Sequence, residues 1–267
     1  MRLKDKVAIV VGAGQSPGEG VGNGRATALT FAREGAKVLC VDYNLGSAEE
    51  TVDMIKKNQG TAAAFKADVT KESDIKAFVA DAHKRWGKID ILHNNVGVSI
   101  SGGDAELLSI TEEAFDRCVA INLKSCILAC KHVIPIMRAQ KSGAIVNISS
   151  NAVISTYPYV AYKATKAAMV SFTEQLAYQN AEYGIRANVI LPGLMNTPMA
   201  VDTRAREFNK PRAQVEAERD AKVPLRRKMG TGWDVANAAL FLASDEASFV
   251  TGVTLPVDGG AGVIRGG

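Results

Sequence analysis

The segment at residues 7–24 reads VAIVVGAGQSPGEGVGNG, and it decides how the rest of the chain is interpreted. Its first five residues are apolar and mostly β-branched, which predicts a short buried strand. A loop with six glycines in thirteen residues follows, and a helical pattern begins at residue 25. Glycine lets a backbone approach a phosphate closely, and a helix N-terminus offers free N–H groups to anions. The segment therefore predicts a phosphate-binding turn between a strand and a helix.

Short β-branched segments and longer helical patterns alternate along the whole chain. Strands are predicted at residues 7–11, 37–41, 63–67, 89–93, 144–148, 186–191 and 254–257, and helices at 25–34, 48–58, 71–86, 111–139, 159–183 and 233–243. This alternation is typical of parallel strands joined by right-handed crossovers. The sequence thus predicts one α/β domain over residues 1–267, a Rossmann-type doubly wound parallel sheet of about seven strands with helices on both faces. A less regular stretch, residues 194–225, is the predicted substrate loop.

Charge and composition exclude several classes of function. The net charge of +4 comes from 32 basic and 28 acidic residues spread along the chain, which leaves no basic stripe for nucleic acid. We expect neither a signal peptide nor an apolar run of about 18 residues, and hence a soluble cytoplasmic protein without membrane contact. Cys118, Cys126 and Cys130 lie in one apolar stretch with only His132 nearby. They are interpreted as buried free thiols of a reducing compartment, and no metal site is predicted.

Asp42 ends the second predicted strand, eighteen residues after Gly24. An acid at this position can accept hydrogen bonds from the ribose hydroxyls of NAD, and its charge repels the 2′-phosphate of NADP. No Arg or Lys follows Asp42 before Lys56, and the glycine loop carries Glu19 but no base before Arg25. The predicted cofactor is therefore NAD.

Tyr162 and Lys166 are four residues apart in a predicted helix, and that spacing places them on one helical face. A nearby ammonium favours the phenolate, so we expect Lys166 to lower the pKa of Tyr162. A tyrosine whose pKa is closer to neutrality can act as a general acid or base. Exposed helices carry many such pairs, so the interpretation depends on the surrounding residues.

The surrounding residues form an ordered series of short motifs at strand ends. These are Asp68-Val69, Asn94-Asn95-Val96-Gly97, Asn122, Asn147-Ile148-Ser149-Ser150, Tyr162 with Lys166, Pro192-Gly193 with Thr197, and Val257-Asp258-Gly259-Gly260. In this order, and over nearly the whole chain, they resemble the short-chain dehydrogenase/reductase family. The resemblance implies hydride transfer between a nicotinamide and an alcohol or ketone.

The resemblance also implies a role for each motif. Tyr162 would carry the proton, and Lys166 would bind the nicotinamide ribose. Ser150 would hold the substrate oxygen, and Asn122 would join a proton relay. Asp68 and Val69 would border the adenine, Asn95 the adenosine ribose, and residues 192–197 the nicotinamide. With the glycine loop and Asp42, the predicted cofactor contacts are Gly12, Gly14, Gly22, Gly24, Asp42, Asp68, Val69, Asn95, Val96, Gly97, Tyr162, Lys166, Pro192, Gly193, Met195 and Thr197.

The chain departs from the family pattern in two places. The family's catalytic serine usually stands thirteen residues before the tyrosine and is the second of a pair. Here Ser149 stands thirteen residues before Tyr162 and Ser150 twelve, and we favour Ser150 on the assumption of a shortened loop. The glycine loop is some six residues longer than usual in the family. The extra residues, about 15–21, either arch over the pyrophosphate or bulge into solvent.

The predicted substrate pocket is mainly apolar or aromatic. Its predicted lining includes Ile100, Asn151, Tyr157, Tyr159, Leu194 and Met199, with Ser99 and Val153 beside them. None of these residues carries a fixed charge, so the expected substrate is a neutral, fairly hydrophobic secondary alcohol or its ketone. Arg204, Arg206 and Arg212 in the substrate loop contradict this expectation if a closing lid brings one of them inward.

Two alternative functions are kept as predictions, and so is an oligomeric state. Enoyl-thioester reductases, distant relatives of the family, place a tyrosine seven residues before the lysine, and Tyr159 stands at that distance from Lys166. A sensor that binds NAD without turnover is the other alternative, although such proteins usually lose the tyrosine or the lysine. The family commonly forms tetramers through two long helices, here residues 112–139 and 159–183, so a homotetramer is expected.

Overall fold

Seven parallel strands form one sheet, as the sequence predicts. The computed structural model describes residues 1–263, so residues 264–267 of the predicted domain lie outside the described part. The strands are β1 (Val7–Val11), β2 (Lys37–Asp42), β3 (Thr61–Lys66), β4 (Ile91–Asn94), β5 (Gly143–Ile148), β6 (Ile185–Pro192) and β7 (Thr254–Val257). Their order in the sheet is β3-β2-β1-β4-β5-β6-β7.

Helices cover both faces of this sheet. They are α1 (Asn23–Arg33), α2 (Leu45–Lys57), α3 (Glu72–Trp86), α4 (Glu112–Gln140), α5 (Val160–Asn180), α6 (Asp202–Glu207), α7 (Arg212–Asp220) and α8 (Gly232–Ala243). The two faces are separated by the alternation of side chains along each strand. In β1, Ala8 and Val10 join the cluster under α1, α2 and α8, whereas Ile9 and Val11 join the cluster under α3, α4 and α5. Each fully buried aliphatic side chain of this kind contributes about 1.5–3 kcal/mol to folding.

The topology fixes the position of a ligand cleft. From β1 the chain proceeds to β2 and β3 on one side of the sheet, and it then crosses to β4 and continues outward on the other side. The crevice between the carboxyl ends of β1 and β4 is the place where open α/β sheets bind ligands. The glycine loop follows β1 at this edge, and residues 95–97 follow β4.

Helix α4 differs from the expectation in two ways. It contains a π turn, Ala120–Lys124, which bends the backbone around Asn122. It is also long and apolar enough, by length and composition, to cross a membrane, although the sequence analysis expected no apolar run of that length. One of its faces packs under the sheet with Cys126, Cys130 and Val133, and about a third of its most apolar stretch is buried.

The predicted irregular stretch contains two short helices, α6 and α7. They pack on a small core of their own, formed by Val201, Val215, Val223 and Met229. These helices are too short to be predicted from hydrophobic periodicity in the sequence. Their small core holds the segment over the open end of the cleft.

Candidate active site

One cavity of about 760 Å³ lies at the carboxyl ends of the strands. It brings together the glycine loop, the ends of β2 and β4, the start of α5 and the segment after β6. All the predicted cofactor contacts line it, namely Gly12, Gly14, Gly22, Gly24, Asp42, Asp68, Val69, Asn95, Val96, Gly97, Tyr162, Lys166, Pro192, Gly193, Met195 and Thr197.

The glycine loop is packed so closely that it requires glycine at its two ends. A Cβ at Gly24 would lie 1.8 Å from the Gly12 carbonyl oxygen and 2.6 Å from Asn95 Nδ2. Gly12 has a φ of +84°, which disfavours other residues. The Asn95 side chain donates a hydrogen bond to the Gly12 carbonyl (3.1 Å), and this bond joins the loop to the end of β4. The result is a backbone cradle at the N-terminus of α1, which fits a pyrophosphate.

Asp42 supports the loop from the neighbouring strand. Its carboxylate accepts the backbone N–H of Gly14 (2.9 Å) and that of Asn44 (3.0 Å). The nearby Arg25 is buried and engaged with Thr51 and with Glu50 (2.8 Å). Among the described residues, the basic side chains that line the cavity are Lys166, Arg204 and Arg219. None of these residues is adjacent to Asp42 in the sequence, and the two arginines belong to the substrate segment. A 2′-phosphate at Asp42 would therefore lack a basic partner from the neighbouring residues. The lining at Asp42 fits an adenosine ribose without a 2′-phosphate.

The extra residues of the glycine loop contact the substrate segment. Gly18 is pressed against Asp202, because a Cβ there would lie 2.4 Å from the Asp202 carboxyl carbon. Arg212 lies 3.3 Å from Asp202 and 3.8 Å from Glu19, and Arg206 donates to the Pro17 carbonyl (3.1 Å). The loop therefore reaches from the cradle to α6 and α7, and it does not simply bulge into solvent. We call this set of contacts the loop clasp.

Lys166 is buried beneath the cavity wall. Its ammonium donates to the Ile148 carbonyl (2.7 Å), and it lies 5.8 Å from the centre of the Tyr162 ring. Burial lowers the pKa of Lys166 to about 8. Burial also raises the pKa of Tyr162, whereas the Ser150 hydroxyl and the charge of Arg204 lower it. The expectation that Lys166 lowers the pKa of Tyr162 is wrong. The desolvation of the phenol outweighs the neighbouring charges that act on it, and Lys166 is not one of those charges.

The two candidate serines make different contacts. The Ser149 hydroxyl is buried and donates to the Lys166 backbone carbonyl (2.8 Å). The Ser150 hydroxyl accepts the N–H of Ala152 (3.1 Å) and is close enough to Tyr162 to lower the pKa of the phenol. Ser149 is thus occupied in holding α5 to β5, and Ser150 is the serine whose hydroxyl reaches Tyr162.

Asn122 is buried behind the cavity wall, in the π turn of α4. Its amide oxygen accepts the N–H of Val98 (2.7 Å), and its NH₂ group donates to the Val98 carbonyl (2.9 Å) and to Thr165 (3.1 Å). The side chain thereby joins the segment after β4 to the helix that carries Tyr162. Its role in a proton relay remains a prediction.

Asp104 contacts the start of the helix that carries Tyr162, and the sequence analysis did not foresee it. Its carboxylate accepts the N–H groups of Ala161 and Tyr162, each at 2.9 Å. These are orphan donors in the first turn of α5, whose own N-cap residue, Tyr159, makes no side-chain cap bond. Asp104 lies more than fifty residues away in a loop without a recognisable motif, so no sequence signal connects it with Tyr162.

Five of the six predicted pocket residues line the cavity, and their role in binding a substrate stays a prediction. Ile100, Asn151, Tyr157, Leu194 and Met199 line it. Tyr159 does not line the cavity. Its ring packs edge-on against Tyr157, with ring centres 5.6 Å apart, because the chain turns into α5 at this residue. Tyr157 in turn packs against the Tyr162 ring, with ring centres 5.3 Å apart, and its hydroxyl is bonded to Ser99 (2.7 Å).

Two arginines from the substrate segment line the same end of the cavity. They are Arg204 of α6 and Arg219 of α7. The expectation of a pocket without fixed charge is therefore wrong, because α6 and α7 fold over the cleft. Arg204 was one of the three candidates for an inward position, whereas Arg206 and Arg212 belong to the loop clasp. Arg219 was not foreseen.

The cysteines lie in the interior. Cys118, Cys126 and Cys130 are free and buried, as predicted, and Cys40 is free and buried as well. Within residues 1–263, no group of three or more His, Cys, Asp or Glu side chains is placed to hold a metal ion.

Comparisons with known proteins agree with this geometry. The family model described as Enoyl-(Acyl carrier protein) reductase matches residues 19–262. The 2-(S)-hydroxypropyl-CoM dehydrogenase 3 of Xanthobacter autotrophicus is 36% identical over 97% of this chain and 97% of its own length. A crystal structure from Burkholderia xenovorans, assigned to the short-chain dehydrogenases/reductases, is 40% identical with a TM-score of 0.90 and covers 99% of both chains. The crystal structure of levodione reductase is 32% identical with a TM-score of 0.92, and the match covers 99% of this chain and 100% of that one.

Proposed function

The chain belongs to the short-chain dehydrogenase/reductase family, and we propose that it is an NAD-dependent enzyme that interconverts a secondary alcohol and its ketone. One observation carries the proposal. Tyr162, Ser150 and Lys166 meet in the same cavity as a glycine cradle and Asp42. The cradle and Asp42 offer the contacts that a dinucleotide needs, and the three polar groups offer what a proton transfer at an oxygen needs.

Each side chain has a defined task in this proposal. When bound, NAD supplies the nicotinamide that accepts the hydride from the alcohol carbon or returns it to the ketone carbon. In the direction of oxidation, Tyr162 acts as the phenolate, after its own proton has been lost to solvent. The phenolate oxygen takes the hydroxyl proton as the C–H bond breaks and the C=O bond forms. Ser150 donates a hydrogen bond to the substrate oxygen, where charge develops. Lys166 binds the nicotinamide ribose and holds a positive charge under the site.

The choice of NAD over NADP is supported by the surroundings of Asp42. Its carboxylate is fixed by two backbone N–H groups, and Arg25 is engaged elsewhere. Bringing a 2′-phosphate next to a fixed carboxylate costs several kcal/mol, because two like charges would share one site. Four buried free thiols also support a reducing compartment, the cytoplasm.

The test of the proposed function is Tyr162→Phe. We expect it to lower turnover of secondary alcohols by at least about a thousandfold, because the proton acceptor is lost. The affinity for NAD, measured by calorimetry, should stay within about twofold, since the phenol is not needed for most cofactor contacts. The matched control is Tyr178→Phe, which changes an exposed tyrosine of the same helix and should leave both values unchanged. Wild-type activity should be much higher with NAD than with NADP.

Two results would overturn the proposal. Turnover retained by Tyr162→Phe would remove the tyrosine from the chemistry. Wild-type enzyme that binds NAD but oxidises no secondary alcohol would favour the sensor alternative. The enoyl-thioester alternative receives no support from the site, because Tyr159 does not line the cavity. An enoyl thioester assayed beside the alcohols tests that alternative directly.

A further inference from the structure

The side chains of Arg204 and Arg219 line the substrate end of the cavity, and neither forms an ion pair with a carboxylate of residues 1–263. The Arg204 side chain donates a hydrogen bond to the Ala200 carbonyl (3.0 Å), and it makes no other side-chain hydrogen bond with residues 1–263. Arg219 makes no side-chain hydrogen bond or ion pair with residues 1–263, and its Nε atom is buried. Buried polar atoms without a partner are rare in folded proteins and call for an explanation.

The two charges lie close enough to repel each other. Burial, together with the charge of Arg204, lowers the pKa of Arg219 to about 10, and only Tyr157 acts in the opposite direction. No acid contributes to that balance. The acidic residues that line the cavity, Asp42 and Asp68, belong to the adenosine end. Two like charges held together in a cleft form an unfavourable arrangement unless an anion lies between them.

Two other arginines of the same segment have partners outside the cavity. The charge of Arg212 is paired with Glu216 (2.7 Å) and Asp202 (3.3 Å), although its Nε atom is also buried without a hydrogen bond. Arg206 donates to the Pro17 carbonyl. Arg204 and Arg219, in contrast, line the cleft and form no ion pair with an acid of residues 1–263.

We propose that Arg204 and Arg219 bind an anionic head group of the substrate, a carboxylate or a sulfonate. This inference rests on the proposed function, because it identifies the substrate class of the same site. The reacting carbon lies at Tyr162 and Ser150, and the charged end lies toward α6 and α7. The apolar residues between them, Leu194 and Met199 among others, contact the carbon chain. Since the two arginines come from different helices, a bound anion also joins α6 to α7 across the mouth of the cleft.

Guanidinium and carboxylate groups fit this task geometrically. Arginine presents its donors in a planar fork that pairs with both oxygens of a carboxylate, and such bonds are roughly twice as strong as neutral ones. In a cleft of reduced dielectric the attraction exceeds its value in water. A neutral substrate of the same shape would leave Arg219 without a partner and Arg204 with the Ala200 carbonyl alone among the described residues.

The test compares acids with amides of the same shape. The probes are 4-oxopentanoate, 5-oxohexanoate and 6-oxoheptanoate, each beside its primary amide, with the oxoalkane sulfonate of matching length as the tetrahedral anion. With NADH, wild-type enzyme should reduce the best acid or sulfonate at least about tenfold more efficiently than its amide in kcat/KM. Arg219→Gln and Arg204→Gln should remove this preference mainly by raising KM about tenfold to a hundredfold for the anion, with little change for the amide. Arg226→Gln is the matched control, because it removes an exposed charge outside the cavity.

A binding measurement separates this inference from the proposed function. Pentanoate and pentanamide are titrated by calorimetry into the enzyme saturated with NAD. Pentanoate should bind, and Arg219→Gln should weaken it at least about tenfold, whereas pentanamide should bind weakly to both proteins. Equal reduction of acid and amide, or a preference for the anion that survives both arginine substitutions, would overturn the anion site. If no probe is reduced but pentanoate binding still depends on Arg219, the proposed reaction fails and the anion site stands.

Discussion

Ser149 and Ser150 are adjacent in the chain, yet their hydroxyl groups contact different elements. Ser149 donates to the Lys166 carbonyl (2.8 Å), and Ser150 lies beside the Tyr162 phenol. We predict that Ser150→Ala lowers kcat about a hundredfold, because the donor to the developing oxyanion is lost. Ser149→Ala, the matched control, should cost about 1 kcal/mol of stability and leave kcat within about threefold. Steady-state kinetics of both variants measure this, and the reverse pattern would assign the polarising role to Ser149.

Lys166 should destabilise the fold at neutral pH. Its pKa is lowered from 10.5 to about 8 by burial, so the folded state disfavours the ammonium. The unfolded chain then binds more protons between about pH 8 and pH 10.5, and the free energy of unfolding rises with pH through that window. Below pH 8 the penalty is complete. This penalty lowers the free energy of unfolding by about 3 kcal/mol, and the hydrogen bond to the Ile148 carbonyl offsets about 1 kcal/mol of it.

We therefore predict that Lys166→Met raises the Tm at pH 7 by roughly 5 °C while it abolishes turnover. The difference in Tm between the variant and the wild type should shrink as the pH rises from 8 to 10. Thermal unfolding at several pH values measures both effects. Lys57→Met, at an exposed lysine of α2, should reproduce the wild-type dependence on pH. A variant that is less stable than the wild type at pH 7 would contradict this account.

Some residues of the site could be identified from the sequence, and others could not. Tyr162, Lys166 and Asp42 are recognisable because their spacing or their position at a strand end carries the signal. Arg219 lies in a segment without regular periodicity, and its position over the cleft depends on how α6 and α7 pack. The direction of the pKa shift at Tyr162 depends on burial, which sequence spacing does not report.

At the scale of elements, the position of Tyr162 depends on the first turn of α5. Asp104 accepts two N–H groups there, and the Ala105 carbonyl accepts the N–H of Val160 (3.1 Å). The loop after β4 therefore takes the place of a local N-cap. The start of α5 is therefore held by the loop after β4 and not by a side chain of its own N-cap residue.

We predict that Asp104→Asn lowers kcat about tenfold to a hundredfold and costs about 1–2 kcal/mol of stability, because one of the two N–H groups loses its acceptor. The charge of Asp104 also raises the pKa of Tyr162. Its removal should shift the pH profile of alcohol oxidation to lower pH, which a purely structural role would not do. Thr111→Ala is the matched control, because Thr111 caps α4 by accepting the Ala114 N–H (3.2 Å). It should lose similar stability with kcat retained, and an unshifted pH profile in Asp104→Asn would leave Asp104 without influence on the tyrosine.

The loop clasp shows why element positions are harder to foresee than element types. The glycine loop is visible in the sequence, but its contact with Asp202 spans more than 180 residues. No local pattern reports such a contact. In the structure, the clasp connects the phosphate cradle to the helices that carry Arg204 and Arg219. The cofactor end and the substrate end of the cleft are therefore joined by one segment of chain.

At the scale of the whole molecule, the parallel sheet could be predicted from the sequence, but its strand order could not. Buried β-branched strands separated by helices favour a parallel sheet with right-handed crossovers. The observed order, β3-β2-β1-β4-β5-β6-β7, is one of several doubly wound orders that satisfy this rule. The oligomeric state cannot be predicted in the same way, because an apolar helix face can be covered by the same chain or by another. Ile127 and Phe115 of α4 are about 37% and 40% exposed in the single chain. Exposed apolar side chains on a helix that also packs under the sheet are consistent with a second copy against this face.

We predict that the wild-type protein sediments at the mass of four chains, with α4 and α5 at one interface. Ile127→Glu places a charge in the middle of the exposed face of α4, and burying it without a partner would be costly, so smaller species should appear. Leu108→Glu is the matched control, because Leu108 is fully exposed in a loop and its substitution should leave the mass unchanged. Sedimentation velocity at several concentrations measures this. A wild-type chain that sediments as a monomer, or an Ile127→Glu variant that keeps the wild-type mass, would remove α4 from the interface.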